Sequence, residues 1–306
     1  MRYDAIIIGG GYAGLSAAMQ LARANRSVCV IDTGAPRNRF AAASHGFFGQ
    51  DGMPPRQMIV GARAKLAAYP SVRFLDAKAT AAEADEAGFA VTLTKQGSGE
   101  GERLSSRKMV LAFGIEDGLP DIPGVRERWG ETVLHCPYCH GYEFLGRPLG
   151  VLSLKPLSAH QAALIPEWGP TTFFLNGGEP PDEETQARLA ARGVTIEPAR
   201  VIGLEGDAPR LSGVRLADGR LVEVVALYLA PSTSLRSPIA GQLGCALEDG
   251  PFGPIIRTDS MKMTSVPGLY AAGDIASARH NATFASADGV MAGASVHHAL
   301  IFGAAA

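Results

Sequence analysis

An apolar run passes directly into a cluster of glycines in the segment Tyr3-Asp4-Ala5-Ile6-Ile7-Ile8-Gly9-Gly10-Gly11-Tyr12-Ala13-Gly14. The apolar part predicts a buried parallel strand. Gly9, Gly11 and Gly14 have the spacing Gly-x-Gly-x-x-Gly, which is typical of a turn that binds the phosphates of a dinucleotide. This pattern is specific only in the right context, so the residues that follow decide its meaning.

That context is present. Good helix formers run from Leu15 to Ala24, an apolar strand is predicted from Ser27 to Ile31, and Asp32 ends it. In such a unit the first glycine allows a tight turn, the second admits the pyrophosphate, and the third lets the helix pack closely on the strand. Asp32 can accept hydrogen bonds from a ribose, and its charge disfavours a 2′-phosphate. The sequence therefore predicts a dinucleotide-binding βαβ unit instead of a purely structural one.

Size and composition limit the classes of protein that this chain can belong to. It has 306 residues, of which 46% are hydrophobic and 19% are charged, with a formal net charge of −2. These values predict a folded protein of two domains. The charge gives no electrostatic reason to expect nucleic acid or an anionic membrane as a partner. No signal peptide or transmembrane segment is visible, so we expect a cytoplasmic protein.

The rest of the first third offers weaker candidates. A loop rich in Gly, Asn and Asp contains Arg37, Asn38 and His45, and it is equally compatible with wrapping around a cofactor or with an ordinary connection. A strand from Lys108 ends at Gly114, and residues 97–102 predict a polar hairpin turn.

Two of the four cysteines stand two residues apart in His135-Cys136-Pro137-Tyr138-Cys139-His140-Gly141-Tyr142-Glu143. Such a pair in a reducing compartment is typical of a redox site or of a metal site. The run also matches the c-type haem pattern and the start of glutaredoxins. Haem attachment requires export, glutaredoxins are small thioredoxin-like domains, and zinc lacks two further suitably spaced ligands. Cys29 and Cys245 are predicted to be small core residues.

A second βαβ layout follows without the glycine fingerprint. A strand is predicted from Pro148 to Leu154 and a helix from about Gln161, but Lys155-Pro156-Leu157 occupies the place of the turn glycines. Side chains there hinder the approach of a pyrophosphate. No arginine follows the next strand, residues 171–175, before Arg188, so a 2′-phosphate lacks its usual partner. Both observations argue against ordinary NADPH binding by this domain, and weak binding by a degenerate site is the alternative.

Near the carboxyl terminus, residues 264–274 predict a short strand that ends in Gly273-Asp274, and Ser286 to Leu300 predict a helix rich in small residues. With the fingerprint, the cysteine pair and this strand, the chain resembles the low-molecular-weight thioredoxin reductase family of FAD-dependent disulfide oxidoreductases over essentially its whole length. The resemblance implies an α/β fold with two Rossmann-like, three-layer domains. An FAD-binding domain, residues 1–117 and 242–306, would be split by an inserted NADPH-type domain, residues 118–241.

The resemblance also implies roles for individual residues. Cys139 would face the flavin, while Cys136 would exchange with substrate. Family members are usually homodimers, and the cofactor would be FAD. The residues expected to bind it are Gly9, Gly11, Tyr12, Ala13, Gly14, Asp32, Arg37, Asn38, His45, Gly114, Gly273, Asp274 and Ala285.

The sequence departs from thioredoxin reductases where it matters for function. They usually have Asp after the second cysteine, where this chain has His140, and the NADPH glycines and arginines are missing. The run is more similar to the dithiol oxidase branch, the enzymes that form the sulfur bridges of gliotoxin and holomycin. We therefore expect oxidation of a small dithiol with O2 as acceptor. The alternatives are reduction of a thioredoxin-like protein, with NADPH or ferredoxin as donor, and a flavin redox sensor without turnover.

Histidines on either side of the pair are candidates for proton transfer. A histidine can take the proton of the substrate thiol or stabilise a thiolate by its charge. His140 is favoured because it replaces the acid of the family, and His135 is the second candidate, with a surface or packing role as the alternative. No metal ligand set is predicted.

Overall fold

The computed structural model describes residues 2–94 and 101–303. Most of the hairpin turn predicted at residues 97–102 therefore lies outside the described residues. The chain forms two compact units. Unit 1 consists of Met1–Arg39, Pro55–Glu116 and Thr233–Ala306, and unit 2 of Phe40–Pro54 and Asp117–Ser232.

Strands make up most of the regular structure of both units. They are β1 (Arg2–Ile8), β2 (Val28–Asp32), β3 (Val72–Asp76), β4 (Lys78–Asp85), β5 (Gly88–Thr94), β6 (Glu102–Leu111), β7 (Ile115–Gly118), β8 (Val133–Leu134), β9 (Leu149–Leu152), β10 (Thr171–Phe174), β11 (Thr195–Glu197), β12 (Val201–Glu205), β13 (Gly213–Leu216), β14 (Leu221–Val222), β15 (Ala226–Leu229), β16 (Ser232–Leu235), β17 (Leu247–Asp249), β18 (Pro254–Ile256) and β19 (Leu269–Ala271).

The helices are α1 (Tyr12–Arg23), α2 (Pro55–Ala67), α3 (Pro137–His140), α4 (Leu157–Leu164), α5 (Glu183–Ala191), α6 (Ile239–Gln242) and α7 (Ala282–Phe302). Within the described ranges, none of the helices is long and apolar enough to cross a membrane.

Three helices begin earlier than the sequence predicted. Helix α1 begins at Tyr12 instead of near Leu15. Helix α7 begins at Ala282 instead of near Ser286, because the side chain of Asn281 accepts a hydrogen bond from the Thr283 amide and caps the helix. Helix α4 begins at Leu157 instead of near Gln161, directly after Pro156. Proline is well suited to the start of a helix, since its fixed φ is close to helical.

The central sheet of unit 1 has the order β3-β2-β1-β6-β5-β4, and β19 also pairs with β6. Strands β3, β2, β1, β6 and β19 are parallel, whereas β4 and β5 form an antiparallel extension. Strand β1 is buried on both faces: Ile6 and Ile8 belong to one hydrophobic cluster and Ala5 and Ile7 to another. A parallel sheet covered on both sides is the layered α/β fold that the sequence predicted.

The register aligns the ends of the parallel strands. Ile8 pairs with Ile31 of β2 and Leu111 of β6, and Leu111 also pairs with Ala271 of β19. The residues that follow these strands therefore lie along one edge of the sheet. In open α/β sheets that edge is where ligands bind.

Helices α1 and α7 pack against each other through glycines. A β-carbon at Gly289 would lie 2.0 Å from the carbonyl oxygen of Ala13, and one at Gly293 would lie 2.6 Å from that of Ala17. Only glycine permits so close an approach of two helix backbones. The contact holds the middle of α7 closely against the amino-terminal half of α1.

Unit 2 contains a five-stranded parallel sheet of order β11-β10-β9-β15-β8. The register pairs Tyr228 of β15 with Leu134 of β8. The cysteine segment follows Leu134 directly, so it leaves the sheet at the carboxyl edge. A second, antiparallel sheet contains β12, β13 and β14, and Asp218-Gly219 lies in the turn between β13 and β14.

Candidate active site

The glycine turn of unit 1 is packed so tightly that two of its positions exclude any side chain. A β-carbon at Gly14 would lie 1.8 Å from the carbonyl oxygen of Gly9, and one at Gly9 would lie 2.2 Å from that of Ala112. Gly9 also has a φ of 110°, which disfavours other residues. The crowding comes from the backbone of the turn itself and of the segment after β6.

Gly11 differs from its neighbours, because a β-carbon there would meet no atom within 4 Å. Gly11 is also the N-cap of α1, and it provides no side-chain cap for the helix amides. Open space at a helix amino terminus is suited to a phosphate group. Gly10 packs against Asp32, whose carboxylate accepts a hydrogen bond from the Gly34 amide at 3.1 Å.

The carboxyl-terminal part of unit 1 meets the same edge. Gly273 has a φ of 83°, and a β-carbon there would lie 3.0 Å from that of Ala13 and 3.6 Å from that of Ala285. The adjacent Asp274 forms an ion pair with Arg37, with 3.0 Å between Oδ2 and the guanidinium nitrogen. Residues far apart in sequence are thus brought together around the glycine turn.

Asn38 and Tyr12 also join this cluster. The Asn38 amide donates to the Tyr12 hydroxyl at 3.1 Å, and that hydroxyl lies 3.6 Å from the sulfur of Met58. The Asn38 Oδ1 atom is buried, and within the described residues it has no hydrogen-bond partner. A buried acceptor without a hydrogen-bond donor lowers the stability of a folded protein. The Asn38 oxygen is therefore compatible with a bound ligand that donates a hydrogen bond to it.

Gly114 lies in unit 1 after β6, with a φ of 74° and open space where a β-carbon would be. His45 belongs to unit 2, where its Nε2 lies 3.3 Å from Glu143 and its Nδ1 lies 3.6 Å from Asp51. The part of His45 in cofactor binding stays a prediction.

The cysteine pair of unit 2 lies at the start of the short helix α3. Cys136 is the N-cap residue and Cys139 lies within the helix, with 2.7 Å between their sulfur atoms. Both residues are partly buried. Proline at the first helical position removes an amide that would lack a partner. The turn keeps both thiols on one side, close enough to form a disulfide with each other.

His140 ends the same turn and is partly buried. Burial lowers the pKa of its imidazole below the ordinary value of 6.5; the charge of Glu143 acts in the opposite direction, and His45 lowers the pKa further. The rings of His140 and His45 are edge to face, with centroids 6.4 Å apart. His140 is therefore neutral at pH 7, which suits a base better than a positive charge that stabilises a thiolate.

Two buried polar side chains that the sequence analysis did not single out contact the backbone at the ends of this turn. Gln161 Nε2 in α4 donates to the carbonyl oxygen of His135 at 2.8 Å. The hydroxyl of Tyr228 in β15 donates to the carbonyl oxygen of His140 at 3.5 Å. Both residues belong to other elements of unit 2, so no local sequence signal marks them.

The turn between β9 and α4 is closed by side chains. Ser158 Oγ accepts a hydrogen bond from the Leu154 amide at 3.1 Å, and the Lys155 ammonium donates to the carbonyl oxygen of Pro231 at 3.3 Å. Burial lowers the pKa of Lys155. Pro156 has no amide hydrogen to offer a phosphate. The Leu154 amide is thus already bonded and Pro156 has none, so this turn offers fewer free backbone amides than a dinucleotide-binding turn does.

Arg200, a basic residue close to the loop that follows β10, was not singled out in the sequence analysis. Arg200 lies beside Gly177, since a β-carbon at Gly177 would be 3.6 Å from that of Arg200. The amide of Gly177 donates to the carbonyl oxygen of Pro198 at 3.0 Å, which joins the two loops. Arg200 is distant from this strand in sequence, so the absence of an arginine directly after the strand did not reveal it.

The other two cysteines are core residues, as predicted. Cys29 and Cys245 are buried, and burial raises the pKa of Cys29 to about 11 and raises that of Cys245 as well. Thiols of this kind are inert. Within residues 2–94 and 101–303, no group of three or more His, Cys, Asp or Glu residues is arranged to hold a metal ion.

Comparison with known proteins defines the class. Residues 3–152 match the family model described as pyridine nucleotide-disulphide oxidoreductase. The thioredoxin reductase tcpT of Claviceps purpurea is 34% identical over 304 residues, covering 95% of this chain and 92% of that protein. An oxidoreductase from Agrobacterium tumefaciens has a crystal structure with a TM-score of 0.93 and 43% identity, covering 99% of both chains. The crystal structure of HlmI gives a TM-score of 0.89 and 37% identity, covering 98% of this chain and 92% of HlmI.

The chain belongs to the thioredoxin reductase-like, FAD-dependent disulfide oxidoreductases within the pyridine nucleotide-disulphide oxidoreductase family. It is an enzyme, and its cofactor is FAD. The open space at Gly11, the close approach at Gly273 and the buried Asn38 oxygen are compatible with such a cofactor along the carboxyl edge of the unit 1 sheet.

Proposed function

We propose that this enzyme oxidises a small dithiol to a disulfide through Cys136 and Cys139, with FAD as cofactor and O2 as final electron acceptor. The observation that carries the proposal is the β9–α4 turn, in which Lys155 and Pro156 replace the glycines that NADPH binding requires. Without a nicotinamide donor, a dithiol substrate is the electron source that the cysteine pair can accept from directly.

The cysteine pair performs the thiol chemistry. A substrate thiolate attacks Cys136 of the oxidised pair, a mixed disulfide forms, and Cys139 leaves as a thiolate. The second substrate thiol then loses its proton and attacks the substrate sulfur of the mixed disulfide. This releases the cyclic substrate disulfide and leaves Cys136 reduced. Two electrons have passed to the pair, and two protons have left the substrate.

The chemistry that FAD supplies when bound is two-electron transfer, which returns the pair to its disulfide and delivers the electrons to O2 to give hydrogen peroxide. Residues along the carboxyl edge of the unit 1 sheet would hold the cofactor. Gly11 would leave space for the pyrophosphate, Asp32 would accept a hydrogen bond from the ribose, and Gly273 and Asp274 would hold the pyrophosphate and the ribityl chain. Tyr12, Ala13, Arg37, Asn38 and Ala285 complete the proposed site, with Gly9 and Gly14 shaping the turn and Gly114 beside it.

His140 acts as the base for the substrate thiols. Its imidazole is neutral at pH 7 because burial lowers its pKa, so it can accept the proton that the attacking thiol must lose. His135 lies on the other side of the pair, and we propose only a supporting part for it. Its carbonyl oxygen is already held by Gln161.

Anaerobic stopped-flow measurements test the direction of electron flow. The purified holoenzyme is mixed with dithiothreitol or with NADPH, and the flavin absorbance is followed. Rapid bleaching by dithiothreitol and slow or no bleaching by NADPH is expected. After air is admitted, one molecule of hydrogen peroxide should form for each dithiol oxidised. Rapid bleaching by NADPH without a response to dithiol would contradict the proposal.

A reductase is the second candidate, because the Claviceps purpurea relative is named thioredoxin reductase. In that case NADPH or ferredoxin would supply electrons and a thioredoxin-like protein would accept them. Turnover of a thioredoxin disulfide with either donor distinguishes this activity. A flavin redox sensor would instead show a flavin spectrum but no catalytic consumption of thiols.

A homodimer and the domain boundaries 1–117, 118–241 and 242–306 are part of the proposal, and the cytoplasmic location stays a prediction.

A further inference from the structure

The cysteine turn is too short to fix its own backbone. Helix α3 has only four residues, and no side chain caps its amino terminus. A helix of this length is not stable alone, since a single turn costs more conformational entropy than its few hydrogen bonds return. Something outside the turn must therefore fix it.

Gln161 and Tyr228 meet that need from two sides. Gln161 holds the carbonyl oxygen of the residue before the cysteine pair, and Tyr228 contacts that of the residue after it. Gln161 is 9% exposed and Tyr228 is 0% exposed. The Tyr228 contact, at 3.5 Å, is longer than an ordinary O–H···O hydrogen bond. The Gln161 bond is accordingly the firmer of the two.

Both side chains are expensive to bury. The Gln161 Oε1 atom is buried and has no hydrogen-bond partner among the described residues. A buried polar group without a partner costs about 1–3 kcal/mol, so leucine or phenylalanine would stabilise the core more at these two positions. Polar groups kept at such a cost next to a redox pair point to the chemistry of the pair.

Tyr228 is also close enough to Cys136 for their charges to interact. Burial raises the pKa of the phenol, and the charge of the Cys136 thiolate raises it further. The phenol is therefore neutral at pH 7, so it contributes an O–H dipole instead of a charge.

We propose that Gln161 and Tyr228 are positioning residues: they fix the backbone on either side of Cys136 and Cys139 and thereby shift the equilibrium of the pair toward the disulfide. A disulfide tolerates only a narrow range of backbone separations and torsions, whereas two free thiols tolerate a wide range. A turn that is already held in place has less conformational freedom to lose when the bond forms. The proposal rests on the pair being the redox centre, but not on the direction of electron flow.

Redox titration of the full-length holoenzyme tests this inference. Wild type, Gln161→Met, Tyr228→Phe and the double variant are equilibrated anaerobically in glutathione buffers of graded ratio. The thiols are then trapped by alkylation, and the Cys136–Cys139 peptide is quantified by mass spectrometry. The double variant should shift the dithiol–disulfide equilibrium about tenfold toward the dithiol, which corresponds to about 30 mV. Gln161→Met should account for the larger part.

Tyr3→Phe is the matched control. Tyr3 is a buried tyrosine of unit 1 whose hydroxyl accepts one hydrogen bond, from Arg73 at 3.2 Å. Its loss should lower stability without moving the equilibrium of the cysteine pair. If Gln161→Met does not fold, Tyr228→Phe alone decides, because it removes a single oxygen atom and should shift the equilibrium about threefold.

Two results separate this inference from the proposed function. If the variants lower the melting temperature but leave the equilibrium within error of wild type, Gln161 and Tyr228 are structural and the inference is overturned. If dithiothreitol does not bleach the flavin in the anaerobic stopped-flow test, the proposed function fails, whereas the measured equilibrium of the pair still decides this inference.

Discussion

The carbonyl oxygen of Gly9 lies 1.8 Å from the point at which residue 14 would carry a β-carbon. Gly14→Ala must therefore push the helix away from the strand, and we expect a protein that purifies without flavin or fails to fold. The ratio of flavin to protein absorbance and the melting temperature measure both effects. A Gly14→Ala protein with full flavin content would show that the turn can relax.

Gly11→Ala separates cofactor binding from folding. A methyl group at residue 11 meets no protein atom within 4 Å, so the apoprotein should keep its melting temperature within a few degrees. The methyl group occupies the space proposed for the pyrophosphate, and we expect FAD affinity to fall about tenfold or more, by about 1.4 kcal/mol. Fluorescence titration of apoprotein with FAD measures it.

Gly61→Ala is the control for that experiment. Gly61 lies inside α2, also with open space around the missing β-carbon. Alanine favours a helix interior over glycine by about 0.5–1 kcal/mol, so this variant should be slightly more stable and bind FAD normally. Equal FAD affinity in Gly11→Ala and wild type would place the pyrophosphate elsewhere.

Serine at either position of the cysteine pair should abolish dithiol oxidation while flavin stays bound, because unit 1 contains the proposed cofactor site. Oxygen uptake with dithiothreitol and flavin content are measured for Cys136→Ser and Cys139→Ser. Cys245→Ala is the control: this buried thiol lies outside the site, and its variant should lose some stability but keep activity. Full turnover by Cys136→Ser would exclude the pair as the thiol-exchanging group.

Dithiol oxidation should depend on pH through His140. Burial lowers the pKa of its imidazole, so the neutral base is present at pH 7 and is lost only as the pH falls below the ordinary value of 6.5. The wild-type rate should decline below that pH. His140→Gln should lower the rate about a hundredfold and abolish this decline at low pH, the acid limb of the rate profile, with flavin content unchanged.

His160→Gln is a suitable control, since His160 is an exposed histidine of α4 in the same unit. It should leave both the rate and its pH dependence unchanged. Loss of flavin from His140→Gln would instead mean that His140 has a structural part.

The two neighbours of His140 should move its acid limb in opposite directions. The charge of Glu143 raises the pKa of His140, whereas His45 lowers it. Glu143→Gln should therefore extend activity to lower pH, and His45→Gln should make the rate decline at higher pH than in wild type. Rate profiles from pH 5 to 8 test the signs. A shift in the same direction for both variants would contradict this arrangement.

The parts of the fold that could be predicted are those whose cause is local. The β1 strand, the glycine turn and α1 follow one another directly, so composition and spacing were sufficient to predict the βαβ unit. The start of α7 was missed because its cap, Asn281, lies before the run of small residues that suggested a helix. The start of α4 was missed for a similar reason, since Pro156 was interpreted only as an obstacle to phosphate binding.

The support of the cysteine turn could not be predicted. Gln161 and Tyr228 reach it only because β8, β9 and β15 pair in one sheet and α4 packs beside them. Gln161 was interpreted only as the beginning of a helix, and Tyr228 lies in an apolar strand where a tyrosine is unremarkable. Their partners are backbone carbonyl groups, which carry no sequence signal.

The segment Phe40–Pro54 has a practical consequence for protein engineering. It belongs to unit 2, although Pro55–Glu116 of unit 1 separates it in sequence from the remainder of that unit. A chimera that transplants only Asp117–Ser232 into another flavoenzyme would leave behind His45, the residue that contacts Glu143. The exchangeable module of this enzyme is therefore assembled from two pieces of chain, and a graft intended to carry its thiol chemistry must include both.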